Sequence, residues 1–528
     1  MKLQLVALTI LAGSLLSLAW LGVSGIVLGI AFVPLFYLDD YFVKRKNENT
    51  PLVFWCYALF AFLIWNALTT WWIAYATVAG AIFAIVVNAF LMSLVMLLVH
   101  IAHRIKGRGF AGIFFIFSWL SFEYLHFNWE LSWPWLTLGN GLANDIYIIQ
   151  WYENTGVFGG SLWLILIDLL VWNLLKKQLI SSEKINWLQW FTFMLLVLAP
   201  VVLSLLRYEK YVEKSDPVNV VVAQLNIDPY HDKFKQMSPY QQYLRLLDVC
   251  DSLGDATVDF FVGPETALHS VWQNNIEKSG AIRMVRNFLQ SKYPDAAFVV
   301  GAMTYKKYTS LNPPTSTARF NTDRTFIYDA YNSALFINTD DSVQMYHKQK
   351  LVSGVEKMPF RKYLRFLDKL VINLGGTTGE LATQNEPVVF YKGASAVAVP
   401  ICYESGYGAY VSEFINKGAN LIFIITNDGW WRDSPGYKQH LSYSRIQAIQ
   451  FRRSVARSAN TGISCFINQK GEIEKRTSWW RQTALKGYMN RNDDVTFYAQ
   501  HGDYIARISV FMFILMGLSL ITAKMKRY

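Results

Sequence analysis

Residues 394–405 read ASAVAVPICYES: an apolar, β-branched run that ends at a proline and then presents a cysteine, a tyrosine and an acid. A short, bounded run of this kind reads as a buried strand, which puts Cys402 just past a strand's end and Glu404 two residues further on. Other runs share the pattern: Val218–Ile227 (VNVVVAQLNI), Asp259–Val262 (DFFV), Ala297–Gly301 (AFVVG), Ala334–Asn338 and Leu421–Thr426 (LIFIIT). Helical patterns lie between them, as at Tyr240–Leu253 and Ile446–Ser458. Strands alternating with helices predict an α/β domain with a largely buried sheet. Ligands bind beyond the strand ends of such sheets, so chemistry is sought in the residues that follow each run.

Outward from this segment the composition changes. The 528-residue chain is 53% hydrophobic, holds 19 Trp and has only 16% charged residues, against the ~25% usual in soluble domains. Mean hydropathy is +0.21. Runs long enough to cross ~30 Å of hydrocarbon as helices occur at about 3–20, 22–38, 52–70, 77–101, 109–126, 160–175, 188–206 and 507–523. The first resembles a signal peptide, but a second span follows at once, so it reads as a retained helix. The domains expected are a membrane domain at 1–206, a water-facing domain at 207–506, and a last span with a short tail at 507–528.

Charge placement orients these spans. The net charge is +11, but the basic excess sits beside apolar runs rather than on a nucleic-acid-binding face. Lys2, Lys44–Lys46, the group Arg104, Lys106 and Arg108, the group Lys176, Lys177 and Lys184, and the group Lys524, Lys526 and Arg527 all fall on one side if every span crosses once. Positive residues mark the cytoplasmic side, so segment 207–506 is expected on the outer face. A loop at 127–159 carries Trp129, Trp133, Trp135 and Trp151; indole rings there suit either anchoring at the headgroup level or contact with a lipid substrate.

Carboxylate, ammonium and thiol each follow a strand of the water-facing domain. Glu265, in GPETA at 263–267, follows DFFV, and Lys348, in YHKQKLV at 346–352, follows the run ending at Asn338. A thiol near its ordinary pKa of ~8.5 needs a base or a nearby cation to act as a nucleophile. Glu265 can take that proton. Lys348 and a backbone N–H can stabilise the oxyanion formed when the thiolate attacks a carbonyl, one such donor contributing ~3–4 kcal/mol. The four cysteines include no CxxC pair, so neither a zinc cluster nor a disulfide framework is indicated. GxSxG, Walker and HExxH motifs are absent from the sequence.

PET at 264–266, YHKxxLV at 346–352 with Glu356 eight residues past Lys348, and PICYES at 400–405 resemble the nitrilase (carbon–nitrogen hydrolase) superfamily. Such a domain held between several N-terminal spans and one C-terminal span is similar to the apolipoprotein N-acyltransferases within it. The resemblance implies an α-β-β-α sandwich on the outer face of a bacterial inner membrane. It also implies Glu265 as general base, Lys348 as oxyanion stabiliser and Cys402 as nucleophile, with Glu356, Tyr403 and Glu404 in support. The implied reaction moves an acyl chain from a phospholipid to the α-amine of a diacylglyceryl-cysteine on a lipoprotein, with no metal or cofactor and a monomer as the simpler state. The family reads near LVPFGE after the lysine; here it is LVSGVE at 351–356, which puts the loop carrying Glu356 in question. Trp430 and Trp431, in TNDGWW at 426–431, are expected either to wall the site or to pack a turn. Arg445, Arg452, Arg453 and Arg457 can meet headgroup phosphate or internal carboxylates.

Two other readings compete. A membrane-anchored amidase would use the same three residues on a small carbon–nitrogen substrate. A transporter would instead carry acids within its spans, where Glu123 and Asp168 lie. Pairing of Cys402 with His269, His347 or His440 as in a cysteine protease has no supporting motif.

Overall fold

The computed structural model describes residues 2–179, 186–309, 312–340, 342–360 and 380–525; Lys184, Lys526 and Arg527 lie outside them. The chain forms two compact units, Met1–Tyr211 with His501–Tyr528, and Val212–Gln500.

Among the described residues the first unit holds 8 helices long and apolar enough to cross a membrane: Lys2–Leu21, Gly25–Lys44, Pro51–Tyr75, Val78–Lys106, Arg108–Asn128, Tyr152–Gln178, Trp187–Lys210 and Tyr504–Met525. This is a multi-pass membrane protein. Its interior is aromatic: the ring of Phe32 meets Trp119 edge-on at 4.7 Å and Phe115 at 5.1 Å. The sixth helix begins earlier than expected, near Tyr152, with a break at Gly156 (φ 60°). The intervening loop is therefore shorter than 127–159. Trp135 is buried and packs on Trp133 and Trp72, so its ring fills the protein interior rather than a headgroup layer. Glu123 accepts from the Leu138 amide at 2.8 Å and Asp168 from the Phe32 amide at 2.9 Å. Both acids satisfy backbone donors where helices are interrupted, which removes the support they lent to a transport pathway. Asp39 and Asp40 are buried too, Asp39 between His100 and His103 and Asp40 against Lys176.

The second unit is built on two mixed sheets. The first comprises β1 (Pro217–Gln224), β2 (Phe260–Val262), β3 (Leu268–Trp272), β4 (Ala297–Tyr308), β5 (Arg319–Phe320), β6 (Ile327–Ile337), β7 (Val343–His347) and β14 (Thr483–Asn490). Its order is β14-β1-β2-β4-β6-β5, with β3 on β4 and β7 on β6. The second runs β13-β12-β11-β10-β9-β8, from β8 (Phe390–Lys392), β9 (Ser395–Ala398), β10 (Leu421–Thr426), β11 (Val455–Ala459), β12 (Cys465–Ile467) and β13 (Ile473–Arg476). The sheets face each other, Phe260 meeting Phe423 and Phe336 meeting Phe390. Helices Pro239–Asp251 and Gly280–Lys292 cover the first sheet, burying Leu246, Val249, Ile282 and Leu289 in its core. Helices Gly408–Asn416 and Pro435–Phe451 cover the second. The layers are α-β-β-α, as a nitrilase-like fold requires. β1, β2, β4 and β10 are buried along most of their length, which is why they read as unbroken apolar runs. The helix expected at Ile446–Ser458 ends instead at Phe451: Arg452 turns left-handed (φ 50°) and Val455 opens β11.

Candidate active site

Glu265 sits in a turn three residues past β2 with only 7% of its surface exposed. The turn passes directly over β4. A methyl group at Gly301 would lie 2.6 Å from both the Glu265 Cα and the Thr266 amide nitrogen, so this crossing needs the smallest residue. Lys348 follows β7, and its amide donates to the Asn332 carbonyl at 2.8 Å, continuing the β6–β7 pairing. The Lys348 side chain is 1% exposed. Its ammonium donates to Glu265 Oε1 at 3.2 Å and to Glu356 Oε1 at 2.9 Å. Asn332 Nδ2 donates to the same two oxygens, at 2.7 Å and 3.2 Å. One ammonium and one amide thus hold two carboxylates in a fixed group. Burial works against the charge on Lys348, but Glu265 and Glu356 outweigh it and hold its pKa well above the usual lysine value.

The altered loop at 351–356 still delivers its acid. Gly354 takes a left-handed φ of 83°, and Glu356 Oε2 accepts from the Val352 amide at 2.8 Å. Glycine supplies the turn that the sequence departure had put in question.

Cys402 comes from the second sheet. Ile401 bridges to Ile425, and Cys402 then turns to φ 52°, a backbone state uncommon for a side-chain-bearing residue and typical of functional turns. The residue as a whole is half-buried. Burial, reinforced by the Glu265 carboxylate, pushes the thiol pKa up, while Lys348 and the Thr426 hydroxyl act the other way. Glu265, Lys348 and Cys402, from separate strand ends, therefore share one electrostatic environment.

Glu404 is fully buried and joins the two halves of the site. Its Oε2 accepts from the Ile401 amide at 2.8 Å; its Oε1 accepts from the Tyr346 hydroxyl and the Gln349 amide, both at 2.7 Å. The loop bearing Cys402 and the loop following Lys348 are pinned by this one carboxylate, whose pKa burial raises. The Tyr403 ring packs on Tyr407. Trp430 meets the Tyr230 ring and accepts the Tyr230 hydroxyl at its carbonyl. Trp431 lies edge-on to His440, 5.6 Å between centroids.

Reading the residues alone missed three others. Asn332 lies inside β6 and gives no local signal. Lys233 is buried and donates to Thr266 Oγ1 at 2.6 Å and to the Glu265 carbonyl at 3.4 Å. Burial brings its pKa down to about 8, with Glu265 opposing. His440 carries no motif that marks it as more than a candidate partner for the thiol; its Nε2 lies 3.1 Å from the Cys402 carbonyl oxygen. His269 bonds Gln242 and His347 bonds Ser333. The arginines meet internal groups: Arg457 pairs with Asp428 at 2.6 Å, and Arg445, Arg452 and Arg453 donate to backbone carbonyls.

Two family matches follow the same division of the chain. Residues 219–493 match the carbon-nitrogen hydrolase domain, which is more than half of the sequence. The chain belongs to the carbon–nitrogen hydrolase family. Residues 12–170 match the apolipoprotein N-acyltransferase N-terminal domain, so this family member carries that domain ahead of the hydrolase fold. An apolipoprotein N-acyltransferase of Chlorobaculum tepidum is 27% identical over 516 residues, covering 92% of this chain and 93% of that one. One from Geobacter metallireducens is 24% identical, covering 77% of this chain and 74% of its own length. One from Pasteurella multocida is 26% identical, covering 94% of each chain.

Proposed function

We propose that the chain transfers a fatty acyl group from a membrane phospholipid, through a thioester on Cys402, to the N-terminal α-amine of diacylglyceryl-modified apolipoproteins. The observation that carries the reading is one chain holding both the clustered Glu265, Lys348 and Cys402 and 8 helices able to span a bilayer. Both substrates are lipids or lipid-anchored, so a membrane-embedded enzyme meets them where they reside. Similarity to full-length apolipoprotein N-acyltransferases supports the same conclusion.

In the first half-reaction Glu265 takes the Cys402 proton and the thiolate adds to the ester carbonyl. The Lys348 ammonium, kept charged by Glu265 and Glu356, stabilises the oxyanion. Collapse forms the thioester and expels the lysophospholipid alkoxide, which receives the proton held by Glu265. In the second half Glu265 accepts a proton from the attacking amine, the amide forms, and the departing thiolate is reprotonated. These ping-pong steps use protein groups alone.

Domain limits of 1–206, 207–506 and 507–528 fit this division of labour. The basic clusters support an inner-membrane location with the hydrolase domain on the periplasmic face. A monomer suffices, since the three reacting groups belong to one chain. A membrane-anchored amidase would use the same groups but leave the 8 helices without a purpose. Intact-protein mass spectrometry of detergent-purified enzyme incubated with phospholipid tests the reading. A fatty-acyl adduct, released by hydroxylamine and lost in Cys402→Ala, is expected. Absence of any adduct with accessible phospholipid would overturn the lipid-donor assignment.

A further inference from the structure

Beneath the Cys402 turn lies a chain of buried polar groups that the proposed reaction does not use. His440, on helix Pro435–Phe451, is 1% exposed, and Asp428 and Arg457 are 0% exposed. Arg457 donates to Asp428 Oδ2 at 2.6 Å, Asp428 Oδ1 lies 3.0 Å from His440 Nδ1, and His440 Nε2 reaches the Cys402 carbonyl oxygen at 3.1 Å. Ser405 Oγ donates to the same carbonyl at 2.7 Å. The Thr426 hydroxyl donates to Asp428 Oδ1 at 2.9 Å. Burial works to raise the Asp428 pKa, but Arg457 and His440 outweigh it and bring it down to about 2, so the carboxylate is charged throughout the neutral range. A carbonyl oxygen can only accept, so the contact with Cys402 requires a hydrogen on His440 Nε2.

The Cys402 carbonyl belongs to the peptide bond linking Cys402 to Tyr403. That unit is planar and trans, with its oxygen and its N–H pointing to opposite sides. Fixing the oxygen therefore fixes the direction of the Tyr403 N–H. The same two bonds oppose relaxation of Cys402 from its φ of 52°, a strained state that persists only where its surroundings over-determine it.

We propose that His440, backed by Asp428 and Arg457, is a positioning residue: by holding the Cys402 carbonyl it aims the Tyr403 N–H at the oxyanion formed on Cys402 and keeps the nucleophile in its turn. This rests on the Cys402 acyl-transfer reading above. His440 itself does not touch the thiol or exchange a proton with substrate. Its contribution is geometric and electrostatic, and greatest when negative charge develops on a carbonyl oxygen.

That distinction gives the test. Acylation by phospholipid passes through an oxyanion, whereas alkylation of the same thiol by iodoacetamide does not. Both rates are measured for detergent-purified wild type, His440→Ala, His440→Gln and Ser405→Ala, by intact mass for the acyl adduct and peptide mapping for alkylated Cys402. Removing a preorganised oxyanion contact lowers rates by about 10²–10³, and loosening one is expected to cost about tenfold to a hundredfold. His440→Ala should slow acylation to that extent with alkylation changed by less than about twofold. His440→Gln, whose amide can still donate to the carbonyl, should recover most of the loss. Ser405→Ala, which removes the second donor, should show the same selective effect at several-fold size, and keeps the test decisive if His440→Ala does not fold. Acylation unchanged in both His440→Ala and Ser405→Ala, or alkylation falling in step with acylation, would overturn the proposal. Failure of wild type itself to acylate would instead count against the acyl-transfer reading.

Discussion

Replacing Glu265 with Gln separates two effects that the site couples. The amide oxygen of the replacement can still accept from Lys348 Nζ and Asn332 Nδ2, now 3.2 Å and 2.7 Å from Glu265 Oε1, so the substitution removes the negative charge and the basic lone pair with little change of shape. Loss of a positioned general base slows a reaction by about 10²–10⁴, equivalent to about 3–5 kcal/mol at the barrier. The thiol should respond in the opposite sense. The Glu265 carboxylate is one of the causes that raise the Cys402 pKa, second to burial, while Lys348 lowers it. Without that carboxylate the thiolate loses a repelling neighbour and retains its cation. Glu265→Gln is therefore expected to lower the pKa seen in the pH dependence of iodoacetamide alkylation while slowing phospholipid acylation by at least about a hundredfold. Single-turnover mass spectrometry measures the second quantity on the same preparation. If acylation instead kept pace with the more ionised thiol, Glu265 would be an electrostatic bystander and the base assignment would be wrong.

Three other perturbations have outcomes of definite sign. Lys348→Met leaves the buried Glu265 beside the half-buried Glu356 without their shared cation, and breaking a buried pair costs about 3–5 kcal/mol; a clear fall in the thermal midpoint and loss of the acyl adduct are expected. Gly301→Ala places a methyl group 2.6 Å from the backbone at Glu265 and Thr266, closer than real contacts allow. The Glu265 turn must move, and acylation should fall more than stability does, as paired mass-spectrometric and melting measurements would reveal. Asp428→Asn removes a carboxylate whose folded pKa is lowered from 3.8 to about 2. Stability from such a group is present above its unfolded pKa and lost as pH falls through the folded value. The melting deficit of Asp428→Asn should thus be full at neutral pH and close as pH falls from about 4 to about 2; a deficit independent of pH would refute the charged pairing with Arg457.

The elements visible in the sequence are those whose pattern is local. β10 is buried at every position and is bounded by turn residues, so Leu421–Thr426 is legible at both ends. Glu265 and Cys402 stand out because each follows such a run, and both, like Lys348 after the half-buried β7, can be matched to a motif. What stayed hidden depends on partners distant in sequence. Arg457 makes Val455–Ala459 look like helix surface, yet it occupies a fully buried strand position because Asp428, 29 residues earlier, compensates its charge. Asn332 resembles any polar residue of a strand until β7 and the 351–356 loop bring Lys348 and Glu356 to it. The sixth membrane helix starts before the expected position although Gly156, Gly159 and Gly160 suggest a loop. Side chains of Trp151, Tyr152 and Thr155 fill the space beside Gly159 and Gly160, and tertiary packing overrides the weak local propensity.

The arrangement of charges also accounts for why the site holds two carboxylates around one lysine. In the proposed reaction, when Glu265 takes the thiol proton, negative charge passes from carboxylate to sulfur and the total is unchanged. Glu265 then ceases to be an anionic partner for Lys348. If it were the lysine's sole counter-charge, the ammonium would be drawn wholly to the new thiolate or out toward water, and its place beside the forming oxyanion would be lost. Glu356, at 2.9 Å from Lys348 Nζ and braced by the Val352 amide, keeps its charge through that transfer and holds the ammonium in register. Asn332 does the same for the carboxylates, since its amide can donate to Glu265 Oε1 whether that group is ionised or neutral. In the proposed cycle Glu265 is thus free to change protonation state because Glu356 and Asn332 do not, and the stabilising cation meets each oxyanion from one fixed position.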